Sequence, residues 1–243
     1  AAVDYRNRVI QLGESPDRVF NVGGMGIENI KRLQLLNKTD FEKAINFKLA
    51  TKNLLVTFHP VTLENSTANG QFQHLLNALD ELHETHFIFT KANSDTDGRI
   101  INQMIDNYVA LHPDKSIAFT SMGQLRYLSA LQFMDAVVGN SSSGLAEAPS
   151  FKIATINIGD RQKGRLKAES VLDCEPYKHA IQQAIQTIYT TRFKKNLEKV
   201  TNPYGDGLAS KKIVETLKSA HPEQLLKKSF YDIEMSKDKL KLC

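Results

Sequence analysis

The sequence predicts an α/β protein built on a Rossmann-like parallel sheet. Three observations carry that expectation. Short, continuously apolar runs such as "NLLVTFHP" and "DAVVGN" read as strands buried on both faces. They alternate with amphipathic segments at ~25-residue spacing, the rhythm of repeated βα units. Finally, His59, Asn93, Ser121 and the loop "NSSSG" each follow directly on a strand. In a parallel sheet those positions share one edge, and ligands bind there.

Taken in order, "YRNRVIQLGESPDRVFNVG" reads as a helix, a glycine stop, a turn and a short strand over residues 19–22. That is the pattern of a unit's end, so an upstream domain is expected. Residues 26 to about 50 read as helical with a polar middle. "NLLVTFHP" is a strand. Residues 68–84 read as an amphipathic helix, because Phe72, Leu75, Leu76, Leu79 and Leu82 recur at three- and four-residue spacing. "THFIFTKAN" is a strand, residues 97–111 a helix, "SIAFTS" a strand and "MGQLRYLSALQFM" a helix. "DAVVGNSSSG" is a strand and loop, "LAEAPSF" a short helix, and "KIATINIG" a strand. Residues 177–191 are helical, "NPYGDGLASKKIVETLKSA" gives a turn and a helix, and a Lys-rich tail follows.

Composition narrows the function classes. The 243 residues are 41% hydrophobic and 24% charged, an ordinary globular balance. A net charge of +4 favours an anionic ligand but is too small and scattered for nucleic acid. No apolar run approaches the ~20 residues of a membrane span. Cys174 and Cys243 form no disulfide framework and fit a reducing compartment, so a cytoplasmic protein is expected. Glycosylation patterns at Asn65 and Asn140 are read as chance, since no secretory signal accompanies them.

The segment "VVGNSSSGLAEAPSF" carries the most chemistry. A strand, a small-residue loop and a helix start make an anion site: free N–H groups and the helix dipole point outward, and hydroxyls add donors. A plain helix cap in a polar loop is the alternative. Three familiar loops are excluded. Leu145 stands where a Walker loop needs Lys, Ser143 where a nucleophile elbow needs Gly, and Asn29 where a dinucleotide fingerprint needs its third Gly. Glu147, taken to lie on the helix's first turn, suits either the dipole or the two hydroxyls of a ribose. "INIGDRQKGRLKAES" places Arg161, Lys163 and Arg165 after a strand, as phosphate ligands or as a solvated basic loop. His59 suits acid/base or diphosphate contact, or a buried structural role. Asn93 can bond a sugar or make a turn. The seven histidines are dispersed, and no metal-ligand pair or cofactor motif is present.

Together, "VTFHP", "GNSSSG-x-x-EAPSF", "TINIGDRQKGR" and "RVIQLGE-x-P-x-x-VFNVG" resemble the hydrolysing UDP-N-acetylglucosamine 2-epimerases of the NeuC type, which serve bacterial sialic acid synthesis. The resemblance runs from about residue 5 to residue 235 and includes "FYDI". It implies the C-terminal part of a GT-B fold. Residues 1–22 would end an N-terminal Rossmann-like domain, 23–203 would form the nucleotide-binding domain, and 204–243 would pack back toward the first. It implies that Ser142, Ser143 and Gly144 cradle the diphosphate, that Glu147 holds the ribose, and that Phe119 lies by the uracil. His59 and Arg161 would be catalytic, with Asn93, Gln162 and Arg165 on the substrate. Val61 replaces the more usual Glu after the His-Pro pair. The implied reaction eliminates UDP across C1–C2 and hydrates the resulting 2-acetamidoglucal to N-acetylmannosamine, with no metal or cofactor. Acid/base carboxylates are implied in the upstream domain, so this chain alone is expected to bind UDP with little turnover. A homodimer is also implied. A UDP-diacetylbacillosamine 2-epimerase, a GT-B glycosyltransferase and a non-catalytic sugar-nucleotide module share much of the pattern.

Overall fold

A computed structural model describes residues 1–60, 68–93, 96–221, 223 and 227–233. Val61, Thr62, Asn65 and Cys243 lie outside the described residues. Among the described residues six strands form one parallel sheet. They are β1 (Lys52–Thr57), β2 (Thr85–Thr90), β3 (Ser116–Phe119), β4 (Ala136–Gly139), β5 (Ala154–Ile158) and β6 (Val171–Cys174). Their order is β3-β2-β1-β4-β5-β6. This is the doubly wound arrangement, in which the chain first builds outward from β1 to β3 and then restarts at β4 on the other side of β1. Leu54, Leu55 and Val56 of the central strand are at most 1% exposed, which is why the strand reads as an unbroken apolar run.

Two compact units share the chain. One comprises residues 1–31 and those from 203 onward. It holds α1 (Val3–Gln11), a 3₁₀ turn (Pro16–Arg18) and most of α2 (Met25–Arg32). Residues 19–22, expected as a strand, pair with no other strand among the described residues. The Arg6 side chain instead donates to the carbonyls of Val19 (2.7 Å) and Pro16, occupying acceptors that a ladder would use. Near the C-terminus, Tyr231 N–H donates to Gly13 O at 2.8 Å.

The second unit, residues 32–202, contains the sheet. The single helix expected from 26 to about 50 is two helices. After α2, the Asn37 side chain accepts the Asp40 N–H at 2.9 Å and starts α3 (Lys38–Ile45), which Asn46 ends in the left-handed region. Next come α4 (Ala68–Leu79) and α5 (Thr96–Leu111). Helix α4 buries Phe72, Leu75, Leu76 and Leu79 as its spacing predicts, each side chain contributing ~1.5–3 kcal/mol over exposure. It stops five residues short of the expected end, where Glu84 turns the chain at φ +52° into β2. Then follow α6 (Gly123–Leu131), α7 (Ser143–Ala146), a 3₁₀ turn (Ala148–Phe151) and α8 (Lys178–Ile188). α9 (Thr191–Leu197) and α10 (Ala209–Ser219) complete the helices, α10 lying in the first unit. The sequence reading missed β6, a four-residue edge strand with no buried residue, and α9, which is capped by Thr190.

Gly139 closes β4 at φ +133°, and a Cβ there would stand 1.9 Å from the Thr57 carbonyl oxygen. That oxygen belongs to the central strand and accepts the Asn140 N–H at 3.1 Å, so it cannot move aside without breaking the pairing. Gly139→Ala is expected to cost at least ~3 kcal/mol. That corresponds to a fall of roughly 6–12 °C in the thermal midpoint, read by circular dichroism.

Candidate functional site

The restart of the chain at β4 opens the site. After β1 the chain leaves toward β2, and after β4 it leaves toward β5, so their terminal loops diverge and leave a crevice between them. His59 follows β1 by two residues. Asn140 follows β4 directly and is 1% exposed. Its side-chain oxygen accepts the His59 N–H at 2.7 Å, and its Nδ2 donates to the His59 carbonyl at 2.8 Å. The amide thus acts as a main-chain partner one residue beyond the last β1–β4 pair, Thr57 with Gly139. The burial and the two hydrogen bonds leave no room for a glycan on the Asn140 amide.

The backbone carbonyl of Asn140 gathers the basic loop. It accepts from Arg161 Nη1 at 3.0 Å and from Gln162 Nε2 at 2.7 Å. Gln162 is 1% exposed, and its Oε1 is buried with no hydrogen-bond partner. Arg161 is held below the ordinary guanidinium range, first by burial and second by the like charge of Arg165. An anion beside the two arginines would relieve both penalties. His59, Asn140, Arg161 and Gln162 therefore meet although they are spread over a hundred residues of chain.

The serine loop departs from expectation in one respect. α7 is a single turn that begins at Ser143 and passes at once into a 3₁₀ turn, so it offers almost no helix dipole. Its capacity for an anion rests on hydroxyls and amides. The simple cap reading also fails at Ser142: this residue stands at the N-cap, yet its side chain makes no capping bond. Ser142 is exposed. Ser141 Oγ accepts the Ser143 N–H at 3.3 Å. Gly144 is buried against Thr155, whose hydroxyl donates to the Gly144 carbonyl at 2.7 Å; a Cβ on Gly144 would lie 2.6 Å from Thr155 Cγ2.

Glu147 is the C-cap of that turn, not a first-turn residue, which removes its dipole rationale. Its Oε2 is buried without a partner. Burial pushes its carboxyl above the usual carboxylate range, opposed by a hydrogen bond with Ser143. Ser143 Oγ also bonds the Tyr127 hydroxyl. Burial raises the Tyr127 pKa further still, so the phenol stays protonated.

Phe119 ends β3, and exposed Asn93 lies three residues past β2, on the other half of the same edge. Helix α6 connects the halves. Arg126 holds its guanidinium 5.8 Å from the Phe119 ring centroid, and the next residue is Tyr127, bonded to Ser143. A second asparagine clamp steadies the β2 loop: Asn102 accepts from Ala92 N–H at 2.8 Å and donates to Ala92 O at 3.1 Å. The sequence reading gave Asn140 no role beyond membership of the serine loop, and gave Tyr127 none. Only the position of Asn140 at a strand end could have flagged it, while Tyr127 looked like one more apolar helix residue. Among the described residues no group of three or more acidic, His or Cys side chains could hold a metal, and no helix is long and apolar enough to cross a membrane.

Comparison with known proteins adds a family. A family model described as UDP-N-acetylglucosamine 2-epimerase matches residues 1–218. The GDP/UDP-N,N'-diacetylbacillosamine 2-epimerase (hydrolyzing) of Campylobacter jejuni is 41% identical over 230 residues, 94% of this chain and 59% of that protein. Polysialic acid biosynthesis protein P7 of Escherichia coli is 39% identical over 238 residues, covering 95% and 59%. A UDP co-structure of S. aureus MnaA superposes with a TM-score of 0.70 at 18% identity, covering 96% of this chain and 61% of the other. UDP-GlcNAc 2-epimerase from Neisseria meningitidis bound to UDP-GlcNAc gives 0.67 at 20% identity, covering 90% and 60%. The expected Rossmann-like parallel sheet is therefore the fold these structures share. The chain spans 59% of the length of either curated relative.

The raised Glu147 carboxyl has a signed consequence. A carboxyl that holds its proton more tightly folded than unfolded makes stability fall as pH rises from the ordinary carboxylate range through the raised value. Glu147→Gln removes that loss. The variant is expected to melt above the unsubstituted chain at neutral pH, and the gap is expected to close on acidification toward the ordinary carboxylate range. Thermal melts across pH 4–8 check it.

Proposed function

The chain belongs to the UDP-N-acetylglucosamine 2-epimerase family, and on that premise we propose that it supplies the UDP-binding part of a hydrolysing 2-epimerase acting on UDP-linked 2-acetamido sugars. The observation that carries this reading is the constellation at the β1–β4 crevice. Hydroxyls of the serine loop stand with His59 and an arginine pair whose like charges favour an anion.

In this reading Ser142, Ser143 and Gly144 receive the diphosphate, and Arg161 and Arg165 balance its charge. Glu147 accepts from the ribose hydroxyls through its unpartnered Oε2, and Phe119 bounds the uracil. Gln162 accepts a donor on the sugar through Oε1, and His59 and Asn93 line the same edge. Elimination breaks the C1–O bond of the sugar and removes the proton at C2, leaving UDP and a 2-acetamidoglucal. Water then supplies a hydroxyl to C1 and a proton to C2 from the opposite face. As UDP departs, negative charge grows on its terminal phosphate, and fixed donors stabilise that charge. Carboxylates outside this chain move the protons. No metal or cofactor takes part, and the reaction is cytoplasmic.

Residues 1–22 and the described residues after 203 would then face an upstream Rossmann-like half of a GT-B protein. In support, the first unit exposes Val3, Leu12, Phe20, Met25, Leu217 and Phe230, all more than half exposed. A homodimer belongs to the same reading. The substrate is first UDP-N-acetylglucosamine, yielding N-acetylmannosamine for sialic acid as in the NeuC type; the polysialic acid protein at 39% identity supports this. The relative at 41% identity supports UDP-N,N'-diacetylbacillosamine as the second reading, and turnover by a full-length protein on each sugar nucleotide separates them.

Calorimetry of the chain with UDP is the direct test. UDP is expected to bind, and the Ser142→Ala, Ser143→Ala double variant to lose about tenfold or more in affinity, since bonds to charged groups contribute ~1.5–3 kcal/mol each. Unchanged affinity in the double variant removes the serine loop from the diphosphate site.

A further inference from the structure

We infer that Asn140 is the positioning residue of this site, setting His59 through its side chain and Arg161 and Gln162 through its carbonyl. The inference deepens the proposed function and rests on its reading of His59 and Arg161 as ligand-facing groups. All four polar groups of Asn140 are engaged. Its N–H donates to Thr57 O at 3.1 Å, its carbonyl accepts from Arg161 and Gln162, and its side-chain amide takes both backbone groups of His59. Four polar groups thus bind three segments: the end of β1, His59 beyond it, and the loop after β5. At 1% exposure, water does not substitute for any of these bonds.

The chemistry requires asparagine. His59 presents one donor and one acceptor, and only a neutral amide answers both from a two-carbon reach. Aspartate keeps the acceptor but sets a negative oxygen against the His59 carbonyl, in a loop suited to anions. Ala leaves both His59 groups unanswered in a buried place, and the shorter Ser hydroxyl cannot answer both at once.

Among the described residues, two other asparagines make the same clamp. Asn102 holds Ala92, and Asn53 holds Ala50 at 2.9 and 3.0 Å before β1. Asn53 therefore serves as the control for a purely structural clamp. What distinguishes Asn140 is the identity of the residues it holds.

The test uses this chain with histidine-selective isotope labelling and NMR, beside UDP calorimetry. Asn140→Ala is expected to move and broaden the His59 ring signals, assigned by their loss in His59→Ala, while those of the other six histidines stay in place. Asn53→Ala is expected to lower the melting temperature and leave the His59 ring unmoved. UDP affinity is expected to drop about tenfold in Asn140→Ala, and the same substitution in a His59→Ala background to cost little more, because coupled residues are non-additive. An unmoved His59 ring overturns the inference, and so does an equal loss of affinity in both backgrounds. If the unsubstituted chain does not bind UDP, the proposed function falls, and the ring signals alone then decide the role of Asn140. Where Asn140→Ala does not fold, Asn140→Asp takes its place in each measurement.

Discussion

The close approach of β4 to β1 is the constraint on which the site depends. These strands meet at the centre of the sheet, where the chain reverses its direction of growth. Their main chains come so near at the carboxyl end that only glycine fits at position 139. From that contact the Asn140 N–H reaches the Thr57 carbonyl, its side chain reaches His59, and its own carbonyl is left facing the loop after β5. Without it the two loops would diverge with nothing to relate them. A strand pair that is structural in every textual sense is also what gives distant side chains a common address.

The electrostatic design mixes signs at short range. The like charge of Arg165 disfavours that of Arg161, whereas Glu147 Oε2 and Gln162 Oε1 are buried acceptors without partners. An inorganic anion would satisfy the arginines and leave the acceptors idle. A ligand carrying phosphate beside hydroxyl or amide donors answers both kinds of group. Under the proposed function, a nucleotide sugar would supply both kinds of group.

Much of this was legible in the sequence because its causes are local or periodic. Leu54, Leu55 and Val56 announce a strand buried on both faces, and Phe72, Leu75, Leu76 and Leu79 announce the helix above it. The edge expected to gather His59, Asn93, Ser121 and the serine loop follows from placing chemistry after parallel strands. What escaped depended on contacts far apart in the chain. Residues 19–22 have strand-like composition, but Arg6 takes the Val19 carbonyl, and no other strand pairs with them among the described residues. The Asn37 cap divides what pattern alone joins, and β6 is an edge strand whose side chains are too exposed to signal it. The roles of Asn140 and Tyr127 arise only once the loops meet, so no spacing encodes them.

The asparagine clamp also bears on how long such a protein lasts. Asparagine side chains hydrolyse slowly to carboxylates when the following backbone nitrogen can swing onto the amide carbon. At Asn140 that event would trade a donor for a negative charge between His59 and the serine loop, ageing the site by a single chemical lesion. The two bonds that hold the amide against His59 oppose the side-chain rotation this attack needs, and burial limits the water that completes the hydrolysis. The pairing of β1 with β4 thus also shelters this amide from chemical wear.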